Sequence, residues 1–201
     1  MKKVEHGKTF DRNAANPPAF EIFHNTVTEG YPKHWHTAIE IIMPTRGEYE
    51  VVVGKDSYNL KEGDIIMINS GVVHGMRFVS QGERIVMLVE PGCVENQEEM
   101  ETIFLRLPAI YFKKEDEEDP FYLFLRSQIL EMVREYDNES AVMTHRICTG
   151  LKELFSEFGR KGFSDANAQN TFGAMKQQYM GYFSLDIKKA KGSSDTVQSD
   201  H

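Results

Sequence analysis

Turn signals cut the stretch from Phe20 to Glu90 at short intervals, and this punctuation limits the fold more than any other feature. Gly54-Lys55-Asp56, Lys61-Glu62-Gly63-Asp64, Asn69-Ser70-Gly71 and Ser80-Gln81-Gly82-Glu83 each combine glycine with small or charged turn formers. Between them lie runs too short for helices and rich in β-branched or other apolar residues: Glu48 to Val53, Ser57 to Leu60, Ile65 to Ile68, Val72 to Val79 and Arg84 to Glu90. Phe20 to Val27 and His34 to Met43 read as two earlier strands. A half-apolar strand must bury one face, and many short strands do so by facing a second sheet or closing on themselves. The pattern therefore predicts an all-β sandwich or barrel over residues 19–92.

The character changes after Pro91. Glu95 to Arg106 reads as helix, and Lys113 to Asp119, KKEDEED, as a solvated charged loop. Pro120 can occupy the first turn of a helix running to about Tyr136. Glu139 to Phe158 carries the clearest amphipathic stripe, Met143, Ile147, Leu151, Leu154 and Phe158, with Gly159 as its stop. Thr171 to Phe183 has a weaker stripe. The expected organisation is an N-terminal arm over 1–18, the β-barrel over 19–92, a helical segment over 93–185 and a disordered tail over 186–201.

Composition removes several classes of function. With 40% hydrophobic and 27% charged residues the chain is globular. The one long apolar run is broken by His and Glu, so no membrane span is expected. MKKVEHGKTFDRN lacks the apolar stretch of a secretory signal, and the default location is cytoplasmic. Cys93 and Cys148 stand far apart in no motif and read as inert. A net charge of −8 and no basic stripe argue against direct nucleic-acid binding. No nucleophile–base pair or phosphate-binding loop is present, so catalysis here would have to use a metal.

The chemistry concentrates in HWHTAIEIIMPTRG, His34 to Gly47. On one regular strand, His34, His36 and Glu40 would share a face, with small Ala38 leaving space between them. Trp35, Ile39, Ile41 and Met43 would take the other face, to be covered by the C-terminal helices or by another subunit. Downstream, NSGVVHG supplies His74. Three imidazoles and a carboxylate suit a divalent transition metal such as Zn, Ni, Fe or Mn. The plainer alternative is a buried cluster in which Glu40 hydrogen-bonds an imidazole. His24 shares the even-numbered face of Phe20 and Ile22; it reads as a core histidine that could also line a ligand pocket. His145 reads as a surface residue.

Gly30-x3-His34-x-His36-x3-Glu40-x6-Gly47, followed by Gly63-x5-Asn69-x-Gly71-x2-His74, resembles the two signature motifs of the cupins. The resemblance implies a jelly-roll β-barrel, followed here by two to three C-terminal α-helices, mainly β and α+β as a whole. It also implies that His34, His36, Glu40 and His74 are the metal ligands. Asn69 stands where the second motif usually has proline, Phe78 stands where asparagine is expected, and the spacing after Gly30 is short. Over residues 20 to 160, the combination with KEGDIIMINSGVVHG and trailing helices is similar to the sensor domain of AraC-type transcription regulators. That likeness implies a small-molecule ligand, sugar-like or otherwise polar, bound at His34, His36, Glu40 and His74, and strand parity adds His24 to the expected ligand-binding set. It further implies a homodimer formed through the C-terminal helices; the Met143 to Phe158 stripe reads as ordinary helix packing or, as the sharper alternative the resemblance implies, as the dimer seam. The family's C-terminal pair of helix-turn-helix motifs has no counterpart in the pattern after Gly159. The other expectation is a metal-dependent enzyme, a dioxygenase or isomerase acting on a small oxygenated substrate.

Overall fold

The computed structural model describes residues 19–26, 30–91, 109–114 and 119–161. All fall in one compact unit, Met1–Phe163; the second unit, Ser164–His201, contains none of them. The expected arm over 1–18, the helix over Glu95–Arg106, the stripe from Thr171 to Phe183, the tail over 186–201 and Cys93 lie outside the described residues.

Among the described residues, nine strands form two antiparallel sheets. They are β1 (Phe20–Asn25), β2 (Tyr31–His34), β3 (Ile39–Arg46), β4 (Tyr49–Val53), β5 (Asp56–Leu60), β6 (Ile65–Ile68), β7 (His74–Phe78), β8 (Glu83–Val89) and β9 (Ala109–Phe112). The five-stranded sheet has the order β1-β8-β3-β6-β9, and the four-stranded sheet β2-β7-β4-β5. The crossing of the chain between the two sheets gives a jelly-roll-like sandwich. Helices α1 (Pro120–Asn138) and α2 (Met143–Lys161) follow. Among the described residues no helix is long and apolar enough to cross a membrane.

Strand alternation sorts the five-stranded sheet into two faces. Ile39, Ile41 and Met43 of β3 pair with Val89, Met87 and Ile85 of β8, which in turn pair with Phe20, Ile22 and His24 of β1. This face, with Ile65 and Met67, packs under Leu125, Ile129 and Met132 of α1 and Ile147, Leu151 and Phe155 of α2 in one continuous core. The opposite face, carrying Glu40, Ile42, Ile66 and Val86, looks into the barrel. Both faces of β3 and β6 are thus covered. That is why Ile65 to Ile68 is a continuous apolar run rather than an alternating one.

The α2 stripe faces inward. Ile147, Leu151, Leu154 and Phe158 are 0–1% exposed within the single chain, so these residues are consumed by packing on the sheet and α1. A homodimer seam on that face, as the resemblance implied, has no free apolar surface to use. Gly150 marks the close approach of the helices: a Cβ there would lie 3.2 Å from Met132. The N-terminus of α1 is closed by Asp119, which accepts from Phe121 N at 2.8 Å, with Pro120 in the first turn.

Two features depart from the sequence reading. First, β9 falls inside the stretch expected to be helical. It pairs with β6, with Ala109 opposite Ile68 and Phe112 opposite Ile65. Four residues, AIYF, next to a charged run carry too little pattern to be recognised without their partner strand. Second, His34 to Met43 is not one strand. The chain leaves the four-stranded sheet after His34, turns through residues 35–38 and enters the five-stranded sheet at Ile39.

The Gly63-Asp64 turn ties β9 and α1 to the barrel. Gly63 takes φ +86°, a conformation that glycine adopts without steric penalty. Its carbonyl accepts from Tyr122 Oη of α1 at 2.8 Å. The Asp64 carboxylate, 5% exposed, accepts from Lys61 N at 2.9 Å, Tyr111 Oη at 2.6 Å and Lys114 N at 2.8 Å. Three donors compensate the burial of this charge.

Candidate metal centre

Four side chains from separate segments meet inside the barrel. His34 ends β2, His36 lies in the β2–β3 link, Glu40 is on β3 and His74 opens β7. His34 and His74 are paired across β2 and β7, which puts their rings side by side with centroids 4.5 Å apart. Glu40 arrives from the facing sheet. The convergence therefore comes from two opposed sheets, not from alternation along one strand. One ligand atom from each of the four residues lies within 4.8 Å of all the others.

The backbone fixes which nitrogen of each ring points inward. His34 Nδ1 lies 2.9 Å from Pro32 O, His36 Nδ1 2.9 Å from Ala38 O, and His74 Nδ1 2.8 Å from Val72 O. A carbonyl can only accept, so each Nδ1 carries the hydrogen. The three Nε2 atoms are left for the centre. This second layer of contacts, which holds metal-ligating imidazoles in one tautomer, involves main-chain atoms whose role side-chain identity does not signal.

Glu40 Oε2 sits 2.7 Å from His74 Nε2 and 3.1 Å from His36 Nε2. Burial alone would raise the Glu40 carboxyl, but the hydrogen bonds from His36 and His74 outweigh it and bring the pKa down to about 2. Burial would likewise lower His74, yet the bond and charge of Glu40 raise it above its ordinary value. His34 is lowered, chiefly by desolvation, with the neighbouring His74 adding to the effect. Protonated on both nitrogens, His74 would be an imidazolium held by the Glu40 carboxylate.

The donor set fits a divalent transition metal. Metal–ligand bonds of about 2.1 Å place adjacent ligands about 3 Å apart and opposite ones about 4 Å apart. The observed Glu40–His74 and Glu40–His36 separations of 2.7 and 3.1 Å match adjacent positions. A cation at the centre would replace the proton shared between Glu40 and His74 without moving either residue far. His34, the most exposed of the four, marks the side from which the centre is reached.

His24 does not join this group. It lies on the helix-covered face of β1, paired with Ile85, and its Nε2 is 3.4 Å from Asp137 Oδ2 of α1. The parity that placed it with Phe20 and Ile22 is right, but that face is the outer one. Trp35 is 44% exposed in the link between the sheets. His145 is exposed on α2. A second polar group, which the sequence reading did not single out, occupies the other end of the barrel. The Arg84 guanidinium, 1% exposed, stacks 4.8 Å from the Tyr49 ring and 5.5 Å from Tyr31, whose Oη accepts from Asn25 Nδ2 at 2.8 Å.

Residues 25–90 match the family model described as the cupin domain, the span that contains both sheets' central strands and all four donors. The chain carries a cupin domain. No curated protein matches the chain. Solved structures with a similar fold include a conserved Streptococcus pyogenes protein of unknown function, at 18% identity, 36% of this chain, 63% of that chain and a TM-score of 0.33. They also include an oxalate decarboxylase mutant from Bacillus subtilis, at 19% identity, 36% of this chain, 21% of that chain and a TM-score of 0.33. Apo ToxT from Vibrio cholerae aligns over 73% of this chain and 58% of its own, at 12% identity and a TM-score of 0.47. This cupin-domain chain spans less than two thirds of each of these proteins, and none of their roles is carried to it by likeness.

Proposed function

We propose that this cupin domain is a small-molecule sensor that holds a divalent transition metal through His34, His36, Glu40 and His74 and takes a polar ligand on that metal. The carrying observation is the convergence of three imidazoles and one carboxylate, with one ligand atom from each within 4.8 Å of all the others. The three Nδ1–carbonyl contacts support it, because with Nδ1 donating to a carbonyl each ring keeps Nε2 as the atom it can offer to a metal. The motif resemblance to the AraC-type sensor domain supports a regulatory, cytoplasmic role, and so does the helical layer that packs behind the site's own sheet. In this reading the site responds to a metabolite and the change reaches a partner, a second copy or a DNA-binding protein, through surfaces other than the α2 stripe.

The test is elemental analysis of purified protein, then a thermal-shift screen of metabolites with and without metal. A ligand that binds only the native state adds about 2.7 kcal/mol at 100 times its dissociation constant. Sub-stoichiometric metal under every loading condition rejects the proposal.

The second reading is a metal-dependent enzyme, a dioxygenase or isomerase acting on a small oxygenated substrate. It is favoured by the complete four-ligand set, which leaves coordination positions free on an octahedral ion. Turnover by the metal-loaded protein, abolished in His36→Ala, decides for it. Metal bound with no turnover decides for the sensor.

A further inference from the structure

The four donors are not held alike. Glu40 Oε2 contacts His74 Nε2 at 2.7 Å and His36 Nε2 at 3.1 Å, and among the described residues it makes no such contact with His34. The His36 and His74 side chains are 11% and 3% exposed, whereas His34 is an exposed residue. The orienting carbonyls follow the same division. Those of His36 and His74 belong to Ala38 and Val72, both buried. His34 turns its Nδ1 to Pro32 O, on its own exposed strand.

The backbone beneath each ring differs in the same sense. Glu40 lies on β3, which is paired on both sides, by β6 and β8. His74 lies on β7, between β2 and β4. His36 is tied to the crossing from β6 to β7, its carbonyl accepting from Gly71 N at 2.7 Å. β2, in contrast, is an edge strand among the described residues. It meets β7 at Tyr31 opposite Met76 and His34 opposite His74, with an irregular register between them. Its Tyr31 end is anchored, since Tyr31 Oη accepts from Asn25 Nδ2 of β1 and the ring lies beside Arg84. Near the His34 end, the Lys33 Nζ contact with Gly54 O is long, 3.5 Å, and exposed. An exposed strand end of this kind opens locally at low cost.

We propose that His34 is the exchangeable ligand of the centre: His36, Glu40 and His74 grip the metal, and the small molecule enters by taking the position of His34, which swings outward with the end of β2. This rests on the metal-holding reading above. In the exchange the bond from the metal to His34 Nε2 breaks and a bond to a donor atom of the ligand forms, while the neutral imidazole passes to water. A divalent ion with one ionised carboxylate and three neutral imidazoles keeps a net positive charge. That charge favours an anionic oxygen donor over the neutral ring it displaces. The end of β2 thereby signals an occupied site at the outer surface.

The test uses the full chain loaded with Co(II), whose visible absorption reports directly on the metal, and acetohydroxamate as the probe. His34→Ala is expected to lose about tenfold or less in Co(II) affinity, and His36→Ala about 100-fold or more. In the wild type, NMR counts the imidazole rings whose signals Co(II) shifts. The count is expected to fall from three rings to two as acetohydroxamate saturates the protein, leaving the shifted signals of saturated His34→Ala. Absence of Co(II) absorption overturns the metal reading and this inference with it. A clear Co(II) spectrum with three shifted rings persisting at saturation overturns this inference alone, and needs no variant. Equal affinity losses in the two variants do the same.

Discussion

Metal uptake by this site should be a proton-releasing reaction, with at least one proton supplied by His74. Its Nδ1 faces Val72 O at 2.8 Å and its Nε2 faces Glu40 Oε2 at 2.7 Å. Both neighbours accept, so the metal-free ring holds two protons, and its pKa is raised above 6.5. A metal needs the Nε2 lone pair and must displace one of them. Below the raised pKa, each pH unit then changes the apparent affinity at least tenfold, about 1.4 kcal/mol. His34, whose pKa is lowered, is already neutral near pH 7 and releases nothing there. Glu40, ionised down to about pH 2, also contributes no proton. The assay is calorimetric titration with Zn(II) at pH 5.5 and 6.5, in two buffers of different ionisation enthalpy. At pH 6.5 at least one proton should leave per metal, and between the two pH values the affinity should rise tenfold or more. A pH-independent affinity with no buffer-dependent heat would mean that His74 is neutral in the metal-free protein. The donor–acceptor reasoning for the cluster would then be wrong.

The metal-free protein should respond to pH in the opposite sense at its upper edge. The raised His74 stabilises fully below pH 6.5 and loses that contribution as pH rises through its folded value, while the depressed Glu40 stabilises fully above pH 4.5 and loses it as pH falls toward 2. Lowered His34 acts against this below pH 6.5, so urea midpoints should peak between about pH 4.5 and 6.5 and fall above it, a fall that added Zn(II) removes. His36→Ala should weaken Zn(II) binding by about 100-fold or more in chelator competition while the protein stays folded, since His36 lies in a link rather than the core. Leu151→Ala should cost about 2–5 kcal/mol by urea denaturation, with no dependence on protein concentration. A cost that fades on dilution would place Leu151 in a dimer seam after all. Asp64→Ala removes the acceptor for Lys61 N, Tyr111 and Lys114 N, and should speed hydrogen exchange in β9 well before it affects β3.

Much of the barrel was readable from local chemistry. Glycine turns bounded the strands, and β6 was placed residue for residue, because Ile65 to Ile68 needs no partner to be recognised as an apolar run. The amphipathic period of α2 likewise identified the residues that pack, Ile147, Leu151, Leu154 and Phe158. What those residues pack against was not readable: an apolar stripe fits a sheet and a second subunit equally well, and only the sheet's outer face decided between them. β9 went unseen for the same reason, since a four-residue strand is defined by the β6 edge it joins.

At the site, residue types and spacing by themselves singled out the candidate donors His34, His36, Glu40 and His74, the four that the structure brings together. They did so because metal chemistry restricts which side chains can serve, whatever the fold around them. The tertiary structure alone decided how the donors meet. Alternation along one imagined strand gave the right residues for a mistaken geometric reason, because the chain changes sheets between His34 and Ile39. The same alternation put His24 on the correct face of β1 without revealing that this face looks toward α1 and Asp137. Parity tells which side chains share a side; which side is the inside depends on what covers the sheet, and that is a property of segments distant in the chain.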